Sequence, residues 1–207
     1  MNTKLISVSP TSVIPGLDAQ GSIAAAAAAI KSGGVGELLQ RVLFDRIIID
    51  PPAGGQALTR LTFEIFAHNR AANPELTNLV EAQRMGPNEA FQIEAIALQG
   101  NFGCSEAGLI KFLQDARLRI GVGPDDVERL NVPAVFLPSG NGIGAGLVNQ
   151  AGNAFYTLAA KQEISLKPGH PFSVRLIQGP NAGTLADAEI VDVFVKLFGT
   201  YQQGIVR

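Results

Sequence analysis

An all-β fold built from two antiparallel sheets follows from three features of this 207-residue sequence. Apolar and polar residues alternate in stretch after stretch, glycine, proline and asparagine break the stretches apart, and helical periodicity is nearly absent. Arg41–Asp50 is rich in branched apolar residues and is stopped by Pro51-Pro52 and Gly54-Gly55. In Ala57–His68, Leu61, Phe63 and Ile65 share one face opposite Thr62, Glu64 and Phe66. Ala90–Gln99 sets Phe91, Ile93, Ala95 and Ala97 against Gln92, Glu94 and Ile96, and Ala116–Val122 sets Leu118 and Ile120 against Arg117 and Arg119. Pro133–Leu137 reads as a short apolar strand. Glu163–Leu166 and Phe172–Ile177 flank a turn at Lys167–Pro171. Glu189–Phe198 places Ile190, Phe194, Lys196 and Phe198 opposite Val191, Val193, Val195 and Leu197.

Two short helices are expected among these strands. Ser105–Phe112 has Ser105 as its cap, and Pro124–Leu130 opens Pro-Asp-Asp with acidic residues in the first turn, where they suit the helix dipole. Helices do not alternate with strands, which argues against a parallel α/β sheet. About eight strands with long excursions fit a two-sheet Greek-key sandwich or jelly roll. Its expected core is Phe63, Ile65, Ile93, Leu118, Ile120, Val174, Val193 and Val195.

Residues 1–36 differ from the rest. Lys4, Asp18 and Lys31 are their only charges, and glycines bracket the alanine run 24–29. A helix that short is marginal alone in water. The segment therefore reads as an arm that orders against something else, leaving residues 37–207 as one sandwich domain. The longest early apolar run, Ile23–Ile30, is far short of the ~20 residues that cross a bilayer. With no charged-then-apolar leader in MNTKLISVSP and Cys104 as the single cysteine, the chain is expected to be soluble and made in a cytoplasm.

Charge is sparse: 16 basic against 18 acidic side chains, or 16% of residues, where soluble domains average roughly 25%. A chain with so little surface charge keeps company most simply by being covered by neighbours.

Chemistry is hard to find. His68 ends a strand and His170 sits in a turn, without the spacing of a metal site. There is no GxSxG elbow, and Cys104 reads as a small buried apolar residue rather than a nucleophile. Lys31-Ser32 lacks the glycines of a phosphate loop. Gly140–Ala145 nearly spells a dinucleotide fingerprint, but Pro138-Ser139 break the strand before it and no βαβ rhythm surrounds it. Ser139–Asn153 reads instead as a surface loop. Asp125-Asp126 read as helix-start residues, and Asp187, Glu189 and Asp192 as the solvated end of a strand. With no tryptophan, the chain lacks the aromatic platforms common in sugar clefts. Arg41, Arg46, Arg60, Arg117, Arg119 and Arg175 are scattered, and an arm with two cations cannot make the several phosphate contacts of nucleic-acid binding. No catalytic, metal or cofactor residue is expected.

Glu163–Leu176, a strand, a Pro-Gly turn and a second strand, is followed by Ala188–Gly199 and the chain end Gly204–Arg207. With Leu113–Val122 as an inner strand, this order across residues 37–207 resembles the jelly-roll capsid proteins of icosahedral, tailless bacterial viruses. The resemblance implies a virion shell protein whose sandwich packs side by side in homo-oligomeric rings with other virion proteins. It also implies an arm reaching a neighbouring subunit or an inner apolar layer. Many genome-neutralising capsid arms are strongly basic and this one is not, so strong direct nucleic-acid binding is not expected. Two other classes stay open: a ligand- or receptor-binding sandwich, such as a viral spike or carbohydrate-binding module, and a jelly-roll enzyme.

Overall fold

The structure, a computed structural model, describes residues 36–101, 103–137, 155–159 and 162–204. Most of the arm, Lys31-Ser32 and the Gly140–Ala145 sequence within Ser139–Asn153 lie outside the described residues. Gly36, assigned to the arm by sequence, is the first residue of a strand.

Eleven strands and one α-helix are described. β1 (Gly36–Ile49), β11 (Val191–Gly204) and β4 (Glu89–Gly100) form one antiparallel sheet in that order, with β7 (Tyr156–Thr157) and β8 (Ile164–Leu166) on the far side of β4. A second antiparallel sheet runs β3 (Thr62–Ile65), β9 (Phe172–Gln178), β5 (Ala116–Val122), β6 (Val127–Pro133). A two-stranded pair joins β2 (Gln56–Ala57) to β10 (Thr184–Leu185). Leu43, Ile47, Ile93, Val193, Val195 and Leu197 of the first sheet share one core with Ile65, Leu118, Ile120, Val174 and Leu176 of the second. The fold is all-β and sandwich-like, with antiparallel sheets. Of the eight expected core residues, seven are buried and Phe63 is half-buried, its ring edge-on to Phe112 at 5.4 Å.

The alternation in β11 does what its sequence says. Val191, Val193, Val195 and Leu197 point inward at 0% exposure, while Phe194, Lys196 and Phe198 point outward. β4 departs from its expected pattern. Ala95 pairs with Phe198 but Ile93 pairs with Gly199, so Glu94 is an extra residue in the ladder. Such a bulge flips the phase of the pleat. Phe91 and Ile93 face the core before it, and Ile96 and Leu98 after it, while Ala95 and Ala97 turn outward against Phe198 and Lys196. Ile96 was expected on the opposite face. Gly199 allows the close approach: a Cβ there would lie 2.8 Å from the carbonyl carbon of Gln92.

The helix α1 (Glu106–Leu113) is capped by Ser105, whose Oγ accepts the Gly108 N–H at 3.2 Å. It buries Leu109, Phe112 and Leu113. The second expected helix does not exist. Gly123 (φ 85°) and Asp126 (φ 48°) make Pro124–Asp126 the turn of the β5–β6 hairpin, and Val127–Pro133 pairs with β5. Pairing across the sheet outweighs the local helix-start signal. The expected strand Pro133–Leu137 is also revised. β6 ends at Pro133, and Ala134–Phe136 is a turn of 3₁₀-helix whose next residue, Leu137, supplies a carbonyl to the Leu98 N–H at 2.8 Å. The expected single strand Ala57–His68 is broken by Arg60 and Phe66, both left-handed at φ 60°.

Candidate interaction surfaces

The two sheets present outward faces of different chemistry. On the β3-β9-β5-β6 face, Arg175 and Arg119 are direct cross-strand neighbours, a repulsive arrangement on its own. Asp126, brought over them by the hairpin turn, resolves it. Its Oδ2 accepts from Arg175 Nη1 at 2.7 Å and lies 3.2 Å from Arg119 Nη1. Glu64 takes the other side of Arg175 at 2.7 Å, Glu128 takes Arg119 at 3.0 Å, and Arg117 donates to Asn131 at 2.6 Å. The Ser173 hydroxyl, with Arg175 and Arg119, holds the Asp126 carboxylate below its ordinary range. Three of the six arginines that read as scattered in sequence, Arg117, Arg119 and Arg175, are therefore gathered here, each with an acceptor.

The β1-β11-β4 face is aromatic. Its rows, read across the strands, are Arg46–Phe194–Gln99, Phe44–Lys196–Ala97 and Val42–Phe198–Ala95. Phe44 meets Phe194 edge-on at 5.8 Å, and Phe155 meets Phe198 at 4.6 Å. Phe44, Phe194 and Phe198 are all half-buried, and Ile48 is 50% exposed. Polar groups stand among the rings as well as around them, with Lys196 at the middle of the central row and 5.8 Å from the Phe194 ring centroid. Lys196 bonds to Gln99, Thr200 donates to Glu94 at 2.7 Å, and Arg46 forks onto Asp192 through two bonds of 2.7 Å.

Asp192 is not the solvated strand end that its sequence suggests. It is 5% exposed, and Arg46, with Asn101 behind it at 2.9 Å, holds its carboxylate below the ordinary range. Glu189 is tied to Lys111 at 2.6 Å, while Asp187 is exposed. His68 and His170 are both exposed and stand in separate loops. Cys104 is buried, and burial pushes its thiol pKa up, away from thiolate reactivity. Among the described residues no three His, Cys, Asp or Glu side chains are grouped to hold a metal ion, and no helix is long and apolar enough to cross a membrane.

Two features escaped sequence reading. One is Asp45, a 2%-exposed carboxyl in the middle of β1. The other is the continuity of the aromatic face, which needs the β1/β11 register that brings Phe44 beside Phe194. The outward placement of Phe194 and Phe198 was legible. No family model, curated protein or solved structure matches this chain.

Proposed function

We propose that the chain is a structural shell subunit of a virion of the bacteriophage kind, a jelly roll that self-assembles side by side and carries no active site of its own. The jelly-roll reading is supported by nested pairing of the eight main strands. First pairs with last (β1 with β11), second with seventh (β3 with β9), third with sixth (β4 with β8), and fourth with fifth (β5 with β6). A ribbon paired in that way and folded once gives two sheets of the double Greek-key kind used by capsid proteins, lectins and cupins.

The observation that carries self-association is the aromatic outer face of β1-β11-β4. Four phenylalanines on the solvent side of a sheet, in a chain of net charge -2, form a surface built to be covered. Arg46 and Asp192 beside this face, and Arg175 with Glu64 and Asp126 on the outer face of the other sheet, are engaged in ion pairs with each other, which suits a building block better than a reaction centre. Residues 1–35, the arm ahead of β1, serve assembly by packing on a neighbouring subunit or an inner apolar layer.

Deleting residues 1–35 and measuring both melting and particle size tests this reading. A truncated chain that melts like the full chain but no longer assembles supports it. One that assembles normally removes the arm from the account, and a full chain that never assembles removes the shell.

A further inference from the structure

β1 is an edge strand, and exposed edges are templates for pairing with other chains. Here part of the edge is covered from within. Asn78 donates its N–H to the Phe44 carbonyl at 3.3 Å, its Oδ1 accepts the Phe44 N–H at 2.9 Å, and its Nδ2 donates to the Val42 carbonyl at 2.7 Å. The Thr77 hydroxyl adds a bond to the Phe44 carbonyl at 3.1 Å. These two residues belong to the long connection between β3 and β4, and that connection starts at Phe66, a fully buried aromatic in left-handed conformation.

A side-chain oxygen secures Phe66. Asp45 points inward between Leu43 and Ile47, and its Oδ2 accepts the Phe66 N–H. Its other oxygen, Oδ1, has no partner. A buried carboxylate with an orphan oxygen and no cation is expensive to ionise. The charged groups nearby do not relieve it. Arg46 and Lys196 occupy the opposite face of the sheet with Asp192 and Gln99, and Arg70, Glu75, Glu81 and Arg84 of the connection are exposed, as is Glu64 of β3. Only His68 exerts a favourable charge effect on Asp45.

We propose that Asp45 is a proton-operated latch on the edge of β1: as the neutral acid it holds the residue 66–79 segment over that edge, and as the carboxylate it releases it. Burial pushes the Asp45 pKa above its ordinary value, against the opposing pull of the Phe66 N–H, the charge of His68, the Arg46 N–H and the Thr77 hydroxyl, in falling order. The sign follows. A carboxyl whose folded-state pKa is raised stabilises the closed form fully below the ordinary carboxylate value, and that contribution is lost as pH rises through the folded-state value. Above it, the carboxylate gains by turning to water, Phe66 loses its acceptor, and the backbone groups of Val42 and Phe44 become open to another strand. The latch operates in a single subunit as well as in an assembly, so it stands apart from the shell reading.

The test is hydrogen exchange of the full chain from about pH 4 to about pH 8, corrected for intrinsic rates, in wild type and Asp45→Asn. Asparagine keeps the acceptor for Phe66 and cannot ionise. Wild-type protection at Phe44, Phe66 and Asn78 should fall by up to about tenfold for each pKa unit of upward shift, with core amides such as Val193 unchanged. Asp45→Asn should show no such fall. The same pH profile in both proteins, or a flat wild-type profile, overturns the latch. If Asp45→Asn fails to fold, the Asp45 carboxyl carbon shift in the wild type decides. A midpoint above the ordinary Asp value supports the latch, and one at or below it overturns it.

Discussion

Gly199→Ala should be among the most damaging single-methyl changes available in this chain. A Cβ at Gly199 would lie 2.8 Å from the Gln92 carbonyl carbon and 3.2 Å from the Ile93 Cα, and closer still to the Gln92 oxygen. These are backbone atoms of a paired strand, so no rotamer change relieves the clash. β4 and β11 must separate at the bulge that sets the inward phase of Ile96 and Leu98. Overpacking of this kind costs about 1–3 kcal/mol. Losing two flanking ladder bonds at about 1 kcal/mol each raises the total to roughly 3–5 kcal/mol. That is a large share of the about 5–15 kcal/mol that holds a domain folded. Urea unfolding followed by circular dichroism measures it, with Gly123→Ala as the control. Gly123 sits at φ 85° with nothing within 4 Å of an added Cβ, so its change should cost only about 1–2 kcal/mol of left-handed strain. A Gly199→Ala protein within 1 kcal/mol of wild type, or no worse than Gly123→Ala, would refute the bulge geometry and the register built on it.

Other perturbations read other parts of the fold by the same unfolding assay. Phe112→Ala empties a fully buried aromatic site and should cost about 3–5 kcal/mol, whereas the half-buried Phe63→Ala should cost nearer 2 kcal/mol. Ser105→Ala removes the acceptor for the Gly108 N–H and should cost about 1 kcal/mol. Arg46→Ala strands the buried Asp192 carboxylate and should cost about 2–3 kcal/mol near neutral pH, a discount from a fully buried pair because Arg46 is partly exposed. Since Asp192 has a lowered folded-state pKa, its contribution is present above the ordinary carboxylate value and disappears as pH falls through the lower folded value. Arg46→Ala should therefore flatten the acid limb of the stability curve, and an unchanged limb would contradict the pairing.

Much of the architecture was legible because strand burial has a period of two. Val191, Val193, Val195 and Leu197, and Ala116, Leu118 and Ile120, keep that period on the core side; β5 lies where the pattern puts it, and β11 starts two residues later than the pattern and runs six residues further, to Gly204. Misreadings arose where a non-local partner set the outcome. Pro-Asp-Asp is a helix start by local chemistry, yet here Asp126 turns left-handed and bridges Arg119 and Arg175, residues 7 and 49 positions away. The phase flip at Glu94 is set by Gly199 on the partner strand, which a single-strand pattern cannot contain. The burial of Asp45 and Asp192 has the same origin. Each acid reads as a polar break in an apolar run until the chain brings Phe66 to one and Arg46 to the other. The aromatic face was half visible, since Phe194 and Phe198 alternate out of phase with the valines but Phe44 joins them only through the register.

The central claim is that the aromatic face of β1-β11-β4 exists to be covered by other copies. The size distribution of the purified full chain, by light scattering with negative-stain imaging, tests it most directly. The account predicts rings or closed particles that persist when salt is raised, because screening weakens charge pairs and leaves apolar burial intact. A monodisperse monomer of 21.7 kDa at all concentrations would contradict it.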